Sequence, residues 1–418
     1  MIDYPNKLDI IFEKLDKFRI KPIIIGGYIR DKLLKITSSD IDIELYGVDS
    51  LFEVERILEE FGKVTSVGKS FGVCKLFFQE LELDFSLPRK DSKISAGHKG
   101  IKVDTDKNLS FTAASKRRDF TINAIGYDVK EKKILDPFHG QEDLKQKILR
   151  AVDLKKFDED PLRVLRALVF ASRFHFTLEK QLFSLCRDMI HRRLLEELPQ
   201  ERIFNEIKKL LFKSKKPSYG LSLLKEIDGF FYFSEFKSIS DQEYHKILLS
   251  LDRYATLSTH LDEYSRLTSF LALLTYPLSQ CMRESFLKHL TRQNSLLKDI
   301  DLFVKLAHTL ELKKVDDYRV YKLATQIKIK DFVPFLKSFL HENEIVLVEK
   351  LEKRAKELQV FESKLPPLLE GKDLINKGLK PSKKFKTLLD EAYKAQLQHK
   401  FLTKQEVLHH LREKKFLD

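Results

Sequence analysis

The stretch IIIGGYIRDKLLKITSSDIDIE, residues 23–44, decides the fold of the first part of this 418-residue chain. Its apolar run at 23–25 predicts a short buried strand, and the pair Gly26-Gly27 behind it predicts a tight turn. Residues 28–34 have the pattern of a helix, and a second strand begins in the letters DIDIE. Strand, glycine turn, helix and strand in so few residues predict a small mixed sheet with helices packed on it.

Two carboxylates on the second predicted strand indicate the chemistry of this stretch. Asp40 and Asp42 point the same way, because side chains alternate faces along a strand, and the isoleucines beside them point into a core. Paired carboxylates repel each other unless a cation joins them, and Mg2+ prefers one or two carboxylates together with substrate phosphates. Glycines before a helix let the backbone approach an anion closely. Either feature alone is more often a turn or a solvated strand edge, but together they favour phosphoryl or nucleotidyl transfer.

The composition limits the class of protein. The length of 418 residues predicts roughly two to four domains, and a hydrophobic content of 43% is ample for their cores. Three scattered cysteines, Cys74, Cys186 and Cys281, predict neither a disulfide framework nor a zinc site. The net charge of +13 favours a polyanionic partner, with nucleic acid ahead of a membrane surface. The N-terminus does not have the pattern of a signal peptide and no apolar run could span a bilayer, so we expect a cytoplasmic protein with no membrane segment.

The remainder of the N-terminal part also alternates between predicted strands and helices. Residues 5–18 predict a lead-in helix, and residues 22–87 predict the order strand, helix, strand, helix and three further strands. Asp84 lies on the last of these strands and is a candidate third carboxylate, able to accept the proton of an attacking hydroxyl. A solvated strand residue is an equally good interpretation of Asp84. Residues 89–115 are polar and without periodicity, and we predict a flexible loop beside the site.

The segment KRRDFTINA that follows this loop has residues suited to a nucleotide. Arg117 and Arg118 can clamp phosphates, because arginine makes forked, charge-assisted hydrogen bonds to them. Asp119 and Asn123 can meet ribose hydroxyls. Alone this motif is weak evidence, and it gains weight only after the first stretch. Residues 134–152 predict a strand end, a turn and a helix that lead out of the sheet.

From residue 153 onward the sequence predicts amphipathic helices and no convincing strand. Asp160 and Arg163 lie on one helix face, and they match a specific recognition problem. A carboxylate only accepts hydrogen bonds and a guanidinium only donates them, which suits the amino group and ring nitrogen of cytosine or adenine. Uracil and guanine present the reverse pattern and would be rejected. The alternative is a surface ion pair of little energetic value, and spacing alone does not separate the two.

The motifs occur in the order and spacing of a known family. The chain resembles bacterial class II tRNA nucleotidyltransferases, the CCA-adding enzymes, and their poly(A) polymerase relatives. The likeness is strong up to about residue 211 and returns more weakly in the tail at 371–397. The matching motifs are GGYIRD (26–31), DID (40–42), RRDFTINA (117–124), DPFHGQEDL (136–144), EDPLRVLR (159–166) and ERIFNEIKKLL (201–211).

This resemblance implies an α+β protein, with a small mixed-sheet nucleotidyltransferase head followed by helices. It implies four parts: a head at 1–150, a helical nucleotide-templating neck at 151–212, a helical body at 213–360 and a basic tRNA-binding tail at 361–418. The body could be a degenerate HD-like domain without a metal site, since LALLTYP stands where a His-Asp pair would be.

The resemblance also implies substrates and residue roles. The partners would be the tRNA 3′ end, CTP and ATP, and the cofactor Mg2+. Asp40 and Asp42 would hold the metal, and with Asp84 they form the predicted catalytic set. The predicted nucleotide-binding set is Gly27, Arg30, Arg118, Asp119, Asp160, Arg163 and Arg166. Within it, Asp160 and Arg163 would select the base, and Arg166 would hold the triphosphate.

Two departures from the family pattern leave alternatives open. Val169 stands where a further arginine is usual, so that one triphosphate contact is missing or is supplied by Arg173 or a lysine. Residues 112–115, TAAS, replace a segment that usually carries acids. The alternatives are therefore an A-only or CC-only enzyme and a poly(A) polymerase, although the full-length segment 89–115 argues against CC-only addition. A different class, a non-catalytic RNA-binding protein on a decayed transferase fold, is disfavoured by the intact acidic and arginine motifs.

Overall fold

The computed structural model describes residues 2–67, 73–93, 101–376, 383–414 and 416. The chain divides into two compact units. Unit 1 comprises Met1–Ser238 and Ser285–Arg292, and unit 2 comprises Ile239–Glu284 and Gln293–Asp418. The four-part division inferred from sequence stays a prediction.

Unit 1 begins with a mixed sheet flanked by helices. Seven strands form the sheet in the order β3-β4-β5-β2-β1-β8-β9 among the described residues. The strands are β1 Lys21–Ile25, β2 Ile41–Tyr46, β3 Lys63–Val67, β4 Val73–Phe78, β5 Leu81–Ser86, β8 Gly126–Asp128 and β9 Lys133–Leu135. The helices of this part are α1 Asp9–Lys17, α2 Gly27–Leu33, α3 Leu51–Leu58, α4 Phe111–Ser115 and α5 Gly140–Gln146.

The sequence pattern explains the position of these strands. The apolar residues of β1 are almost completely buried, as are the isoleucines of β2 at 41 and 43. Only one strand pair of the seven-stranded sheet, β2 with β5, is parallel, and this pairing brings the centre of β5 beside the acidic strand. The element order predicted for residues 22–87 and the lead-in helix are both confirmed.

The prediction of a flexible loop at 89–115 is wrong, because parts of this segment form two strands and a helix. Arg89–Lys93 (β6) pairs antiparallel with Ile101–Thr105 (β7), and the TAAS segment lies in α4. The chain between the two strands lies outside the described residues. The polar sequence of this segment did not predict the two strands. A two-stranded pair needs no buried apolar face, so its residues need not alternate between apolar and polar. Helix α4 has a local cause, since Ser110 Oγ accepts a hydrogen bond from the Ala113 N–H at 3.2 Å.

Helices dominate the rest of unit 1. They are α6 Leu162–Phe174, α7 Lys180–His191, α8 Gln200–Lys213 and α9 Pro217–Glu226. One short ladder, β10 Ile148–Leu149 with β11 Thr177–Leu178, contradicts the prediction of no strand after residue 153. Its two-residue strands are too short to show a period in the sequence.

Unit 2 is helical throughout its described part. Its helices include α10 Asp241–Leu257, α11 Glu263–Thr275, α13 Asn294–Thr309, α14 Asp317–Gln326, α15 Ile329–Phe339, α16 Glu342–Glu357, α17 Gly371–Asn376, α18 Lys383–His399 and α19 Lys404–Glu413. Helix α12, Gln280–Leu290, has residues in both units. The tail has a small apolar core of its own, built on Leu374, Ala392 and Val407. Residues 377–381 of the tail motif lie outside the described residues.

The predicted α+β class, with a mixed-sheet head followed by helices, is confirmed. In the described part of the chain, no helix is both long enough and apolar enough to cross a bilayer.

Candidate active site

Cross-strand register gathers the carboxylates at the middle of the head sheet. Asp42 lies directly opposite Asp84 in the parallel pair of β2 and β5. Asp40 immediately precedes β2, one residue outside the strand rather than on it as predicted. Directly opposed residues on one face of a sheet have neighbouring side chains. The structure therefore brings the predicted catalytic set together on one face.

The electrostatics of Asp42 reflect this crowding. Burial, followed by the negative charge of Asp40, raises the pKa of Asp42 to about 6, and Asp84 adds to the rise. The cations Arg118 and Lys75 act in the opposite direction. A carboxylate that is disfavoured by its acidic neighbours is stabilised when a metal cation neutralises them.

The donor set fits a magnesium ion that arrives with its substrate. At no place in the described residues do three or more His, Cys, Asp and Glu side chains group so that they could hold a metal ion alone. Mg2+ needs hard oxygen ligands but is usually held by only one or two carboxylates, and phosphate oxygens and water complete its shell. Asp40 and Asp42 would supply those carboxylates.

The glycine turn lies beside the carboxylates because Ile25, its preceding residue, is opposite Asp42. Gly26 has φ +68°, and a Cβ atom there would lie 2.7 Å from Arg118 Nη1. Only glycine meets both demands without strain. Arg118 in turn donates a hydrogen bond to the Asn123 carbonyl oxygen at 3.0 Å. This bond holds the Arg118 side chain against the glycine turn. Gly27 begins α2 at the same place.

Arg30 is placed differently from the other predicted nucleotide ligands. Its side chain is only 5% exposed, and it donates to Asp31 Oδ1 at 2.8 Å and to Asn123 Oδ1 at 2.5 Å. The guanidinium also lies 5.3 Å from the Phe170 ring centroid and 4.8 Å from that of Phe174. These contacts join α2 to α6 and leave Arg30 little surface for a ligand.

Asp119 and Arg166 form an ion pair rather than two separate ligand contacts. Arg166 Nε lies 2.7 Å from Asp119 Oδ2, and Asn123 donates to the other carboxylate oxygen at 2.9 Å. Burial alone would raise the pKa of Asp119, but Arg166 and these hydrogen bonds outweigh it and lower the pKa. The Arg166 guanidinium also packs over Phe170, so its orientation is fixed before any triphosphate is present.

Asp160 and Arg163 are held individually, not by each other. Arg202 of α8 donates to both Asp160 carboxylate oxygens, at 3.0 and 3.3 Å. Arg163 donates to the carbonyl oxygens of Lys156 and Arg117, at 2.8 and 3.0 Å. A surface ion pair between them is therefore not their arrangement in this structure. Each side chain instead has a rigid support, which is a requirement for a recognition pair.

The position of the missing arginine is buried, and the arginine named as its possible substitute already has partners. Val169 is 6% exposed, within the apolar side of α6. Arg173 donates to Asp31 Oδ2 at 3.1 Å and packs over Phe174. Arg173 thus supports the Arg30 cluster in this structure.

Sequence reasoning missed Glu44, which continues the acidic face of β2. Glu44 is 1% exposed, accepts a hydrogen bond from Tyr46 Oη at 2.5 Å, and forms an ion pair with Arg117 at 3.2 Å. The period of two from Asp40 through Asp42 to Glu44 was the signal that could have found it. The contact of Lys75 with Asp84 left no such signal, because it depends on the register between two strands.

Comparison with known proteins agrees with this geometry. A model described as "Poly A polymerase head domain" matches residues 23–150. A model of an "RNA and SrmB- binding site of polymerase A" matches residues 175–234, and one of "tRNA nucleotidyltransferase domain 2" matches residues 263–411. The three matches run in order along the chain, and their descriptions are those of tRNA nucleotidyltransferases and poly(A) polymerases. The first of these matches contains the complete carboxylate face of the head sheet.

Named relatives match about half of this chain. A multifunctional CCA protein of Shewanella frigidimarina is 37% identical over 210 residues, which are 50% of this chain and 48% of the relative. A CCA-adding enzyme of Lactococcus lactis subsp. cremoris is 34% identical over 235 residues, 55% of this chain and 56% of the relative. The chain thus spans about half the length of the curated relatives it matches.

A solved structure shows that the likeness of fold extends over nearly the whole chain. The Thermotoga maritima CCA-adding enzyme complexed with tRNA superposes with a TM-score of 0.70 at 22% identity, over 99% of this chain and 96% of that chain. At this identity the likeness shows the fold alone. It covers the helical regions where the sequence motifs fade.

Proposed function

We propose that this protein adds CCA to the 3′ end of tRNA, taking CTP and ATP as substrates and releasing pyrophosphate. The observation that carries the proposal is the register that sets Asp84 opposite Asp42, with Asp40 beside them and the glycine turn next to the pair. Nucleotidyl transfer needs this combination, because a triphosphate must be bound where charge can be neutralised and a hydroxyl deprotonated. The names of the curated relatives and of the domain model matched at residues 263–411 support the choice of tRNA.

The chemistry assigned to the carboxylates is an in-line displacement. The 3′ oxygen of tRNA forms a bond to the α-phosphorus, and the bond from that phosphorus to the bridging oxygen of pyrophosphate breaks. Asp84 is placed to accept the proton of the attacking hydroxyl. Mg2+ held by Asp40 and Asp42 would neutralise the triphosphate and polarise the α-phosphate. Arg118 and the Gly27 backbone would hold the incoming nucleotide beside them.

Base choice is assigned to Arg163 on α6 and to Asp160, which lies in extended backbone just before α6 rather than on the helix as predicted. Asp160 would accept from the exocyclic amino group of cytosine or adenine, and Arg163 would donate to the adjacent ring nitrogen. The rigid supports matter here, because a movable pair could adapt to uracil or guanine. Since tRNA, CTP and ATP are cytoplasmic compounds in bacteria, we also assign the reaction to the cytoplasm.

Incorporation by the purified protein tests the proposal. Three substrates are compared in Mg2+ buffer: tRNA lacking CCA, tRNA ending in C-C, and an unrelated RNA, with CTP and ATP supplied separately and together. The first substrate should grow by C, C and A and then stop. Extension of only one tRNA would indicate a CC-only or A-only enzyme, and long A tails on the unrelated RNA would indicate a poly(A) polymerase. Binding of tRNA without any incorporation would support the non-catalytic class.

A further inference from the structure

Lys75 occupies a position in the active-site face that the chemistry above does not use. It lies directly opposite Asp84 in the antiparallel pair of β4 and β5, just as Asp84 lies opposite Asp42 in the next pair. The three side chains therefore form a row across three strands on one face of the sheet. The register of the sheet therefore places Lys75 at the end of a row of carboxylates.

The contacts of Lys75 are to carboxylates. Its Nζ lies 3.2 Å from Asp84 Oδ1 and also donates a hydrogen bond to Glu82 Oε1. Because Glu82 and Asp84 are two residues apart on β5, their side chains lie on the same face of the sheet, and both contact the Lys75 ammonium group. The Lys75 and Asp84 side chains are 30% and 26% exposed, so their interaction is screened less than that of a fully exposed pair.

These contacts have two consequences for the site. The ammonium fixes the direction of the Asp84 carboxylate, the group assigned to accept the hydroxyl proton. Its charge also acts on Asp42, in the same sense as that of Arg118. A cation so close to the carboxylates competes with a divalent ion for their negative charge.

We propose that Lys75 is a positioning residue, which orients Asp84 for catalysis and weakens metal binding at Asp40 and Asp42 until a nucleotide brings its phosphates. This inference rests on the proposed function and adds a residue to it. The competing role is a direct phosphate ligand, since a lysine is also a common phosphate-binding group. The two roles differ in which kinetic constant they change.

The test compares three variants with the wild-type chain. Lys75→Met removes the charge, and Lys75→Arg keeps it. Lys130→Met is the matched control, because Lys130 follows β8 at the other end of the sheet and pairs only with the exposed Asp16 in a surface ion pair. Thermal melting of each variant establishes that it is folded.

The first readout is Mn2+ binding to the nucleotide-free protein, followed by electron paramagnetic resonance. Lys75→Met should bind Mn2+ roughly three- to tenfold more tightly, because a competing charge is gone. Lys75→Arg and Lys130→Met should match the wild type. Unchanged Mn2+ affinity in Lys75→Met would overturn the charge competition. This measurement does not depend on catalytic activity, so it stands even if the wild type adds no nucleotide and the proposed function fails.

The second readout is steady-state addition of CTP to tRNA lacking CCA, at saturating Mg2+. Lys75→Met should lower kcat about tenfold and leave the KM for CTP within about twofold, because an unoriented base slows the chemical step. Lys75→Arg should recover most of the kcat. A raised KM for CTP at unchanged kcat would overturn the positioning role in favour of a phosphate ligand. An active wild type with an unaffected Lys75→Met variant would overturn the inference alone.

Discussion

At the scale of single residues, the carboxylate face of β2 works against folding. Two acidic groups, Asp40 and Asp84, crowd around Asp42 in a largely buried place, and this arrangement raises the free energy of the metal-free protein. Natural sequences keep such conflicts chiefly where a ligand resolves them. The same residues that destabilise the empty head are therefore the ones assigned to the metal.

The first prediction follows from this conflict. Asp42→Asn should reduce CTP incorporation at least about a thousandfold, because one of the two carboxylates assigned to Mg2+ is lost. The same variant should melt a few degrees higher than the wild type in metal-free buffer at pH 8, because a repelling charge has gone. Incorporation assays and calorimetry measure the two effects. Asp49→Asn, at an exposed residue paired with Lys107, is the control and should change neither.

The second prediction concerns base choice. Arg163→Ala removes the donor side of the recognition pair and leaves Asp160 supported by Arg202. The ratio of CTP to UTP incorporation should fall by roughly ten- to a hundredfold, since one specific hydrogen bond contributes about that much discrimination. Competition between the two nucleotides on tRNA lacking CCA measures it. Arg187→Ala, at a half-exposed arginine paired with Asp228, should leave the ratio unchanged. Equal ratios in both variants would make the Arg163 role structural.

At the scale of elements, stacked arginine and phenylalanine side chains join α2 to α6. Arg30 lies over both Phe170 and Phe174, while Arg166 and Arg173 cover the same two rings. Asp31 closes the cluster by accepting from Arg30 and Arg173. The helix that follows the glycine turn is thereby tied to α6, the helix that carries Arg163.

The third prediction tests this connection. Arg30→Met should lower the free energy of unfolding of unit 1 by about 3 kcal/mol, because Asp31 keeps only one cationic partner and Asn123 loses its donor. The affinity for CTP should change little at a temperature where the variant is folded, because Arg30 is buried among protein groups. Urea unfolding and equilibrium binding provide the measurements. A fully stable variant that fails to bind CTP would show instead that Arg30 contacts the nucleotide.

The fourth prediction belongs to the helices of unit 2. Asp317 at the start of α14 accepts from Arg354 of α16 at 2.5 and 2.7 Å and pairs with Lys400, and these cations hold the pKa of Asp317 below its ordinary value. Asp317→Asn should lower the melting temperature by about 2–4 °C at pH 7. Because the folded-state pKa is depressed, the contribution is complete above about pH 4 and is lost as the pH falls further.

The control for this prediction is a second aspartate of the same unit. Asp316→Asn removes a neighbouring carboxylate that is 64% exposed in its side chain and caps α14 through the Arg319 N–H, a hydrogen bond the amide can replace. It should have a smaller effect at pH 7. Melting curves at pH 7, 4 and 3 measure both variants. A difference for Asp317→Asn that stayed constant down to pH 3 would contradict the assignment.

At the scale of the whole molecule, the net charge of +13 would dominate the proposed interaction with RNA. Charge of this size attracts a polyanion regardless of its sequence, and binding releases counterions from the RNA. Under the proposed function, affinity for tRNA and selectivity for its 3′ end have different sources, the first in the summed basic residues and the second in the active-site face.

The fifth prediction is a steep salt dependence of tRNA binding. Affinity measured by fluorescence anisotropy should fall on the order of a thousandfold between 50 and 200 mM KCl, as expected for several phosphate contacts. Asp42→Asn should show the same slope, because it removes no cation. A slope near zero would place most of the binding energy in uncharged contacts and would contradict the electrostatic account.

The sequence by itself determined the order of elements over residues 22–87, the acidic strand and the glycine turn. These features are local. The strand period of two and the glycine required at position 26, where φ is +68°, depend on neighbouring residues only. The tertiary structure alone decided that Lys75 faces Asp84, which group Arg202 holds, and that Arg30 contacts two rings of α6. The register of neighbouring strands sets the first pairing, and helix packing between segments far apart in the chain sets the other two, so no local pattern specifies them.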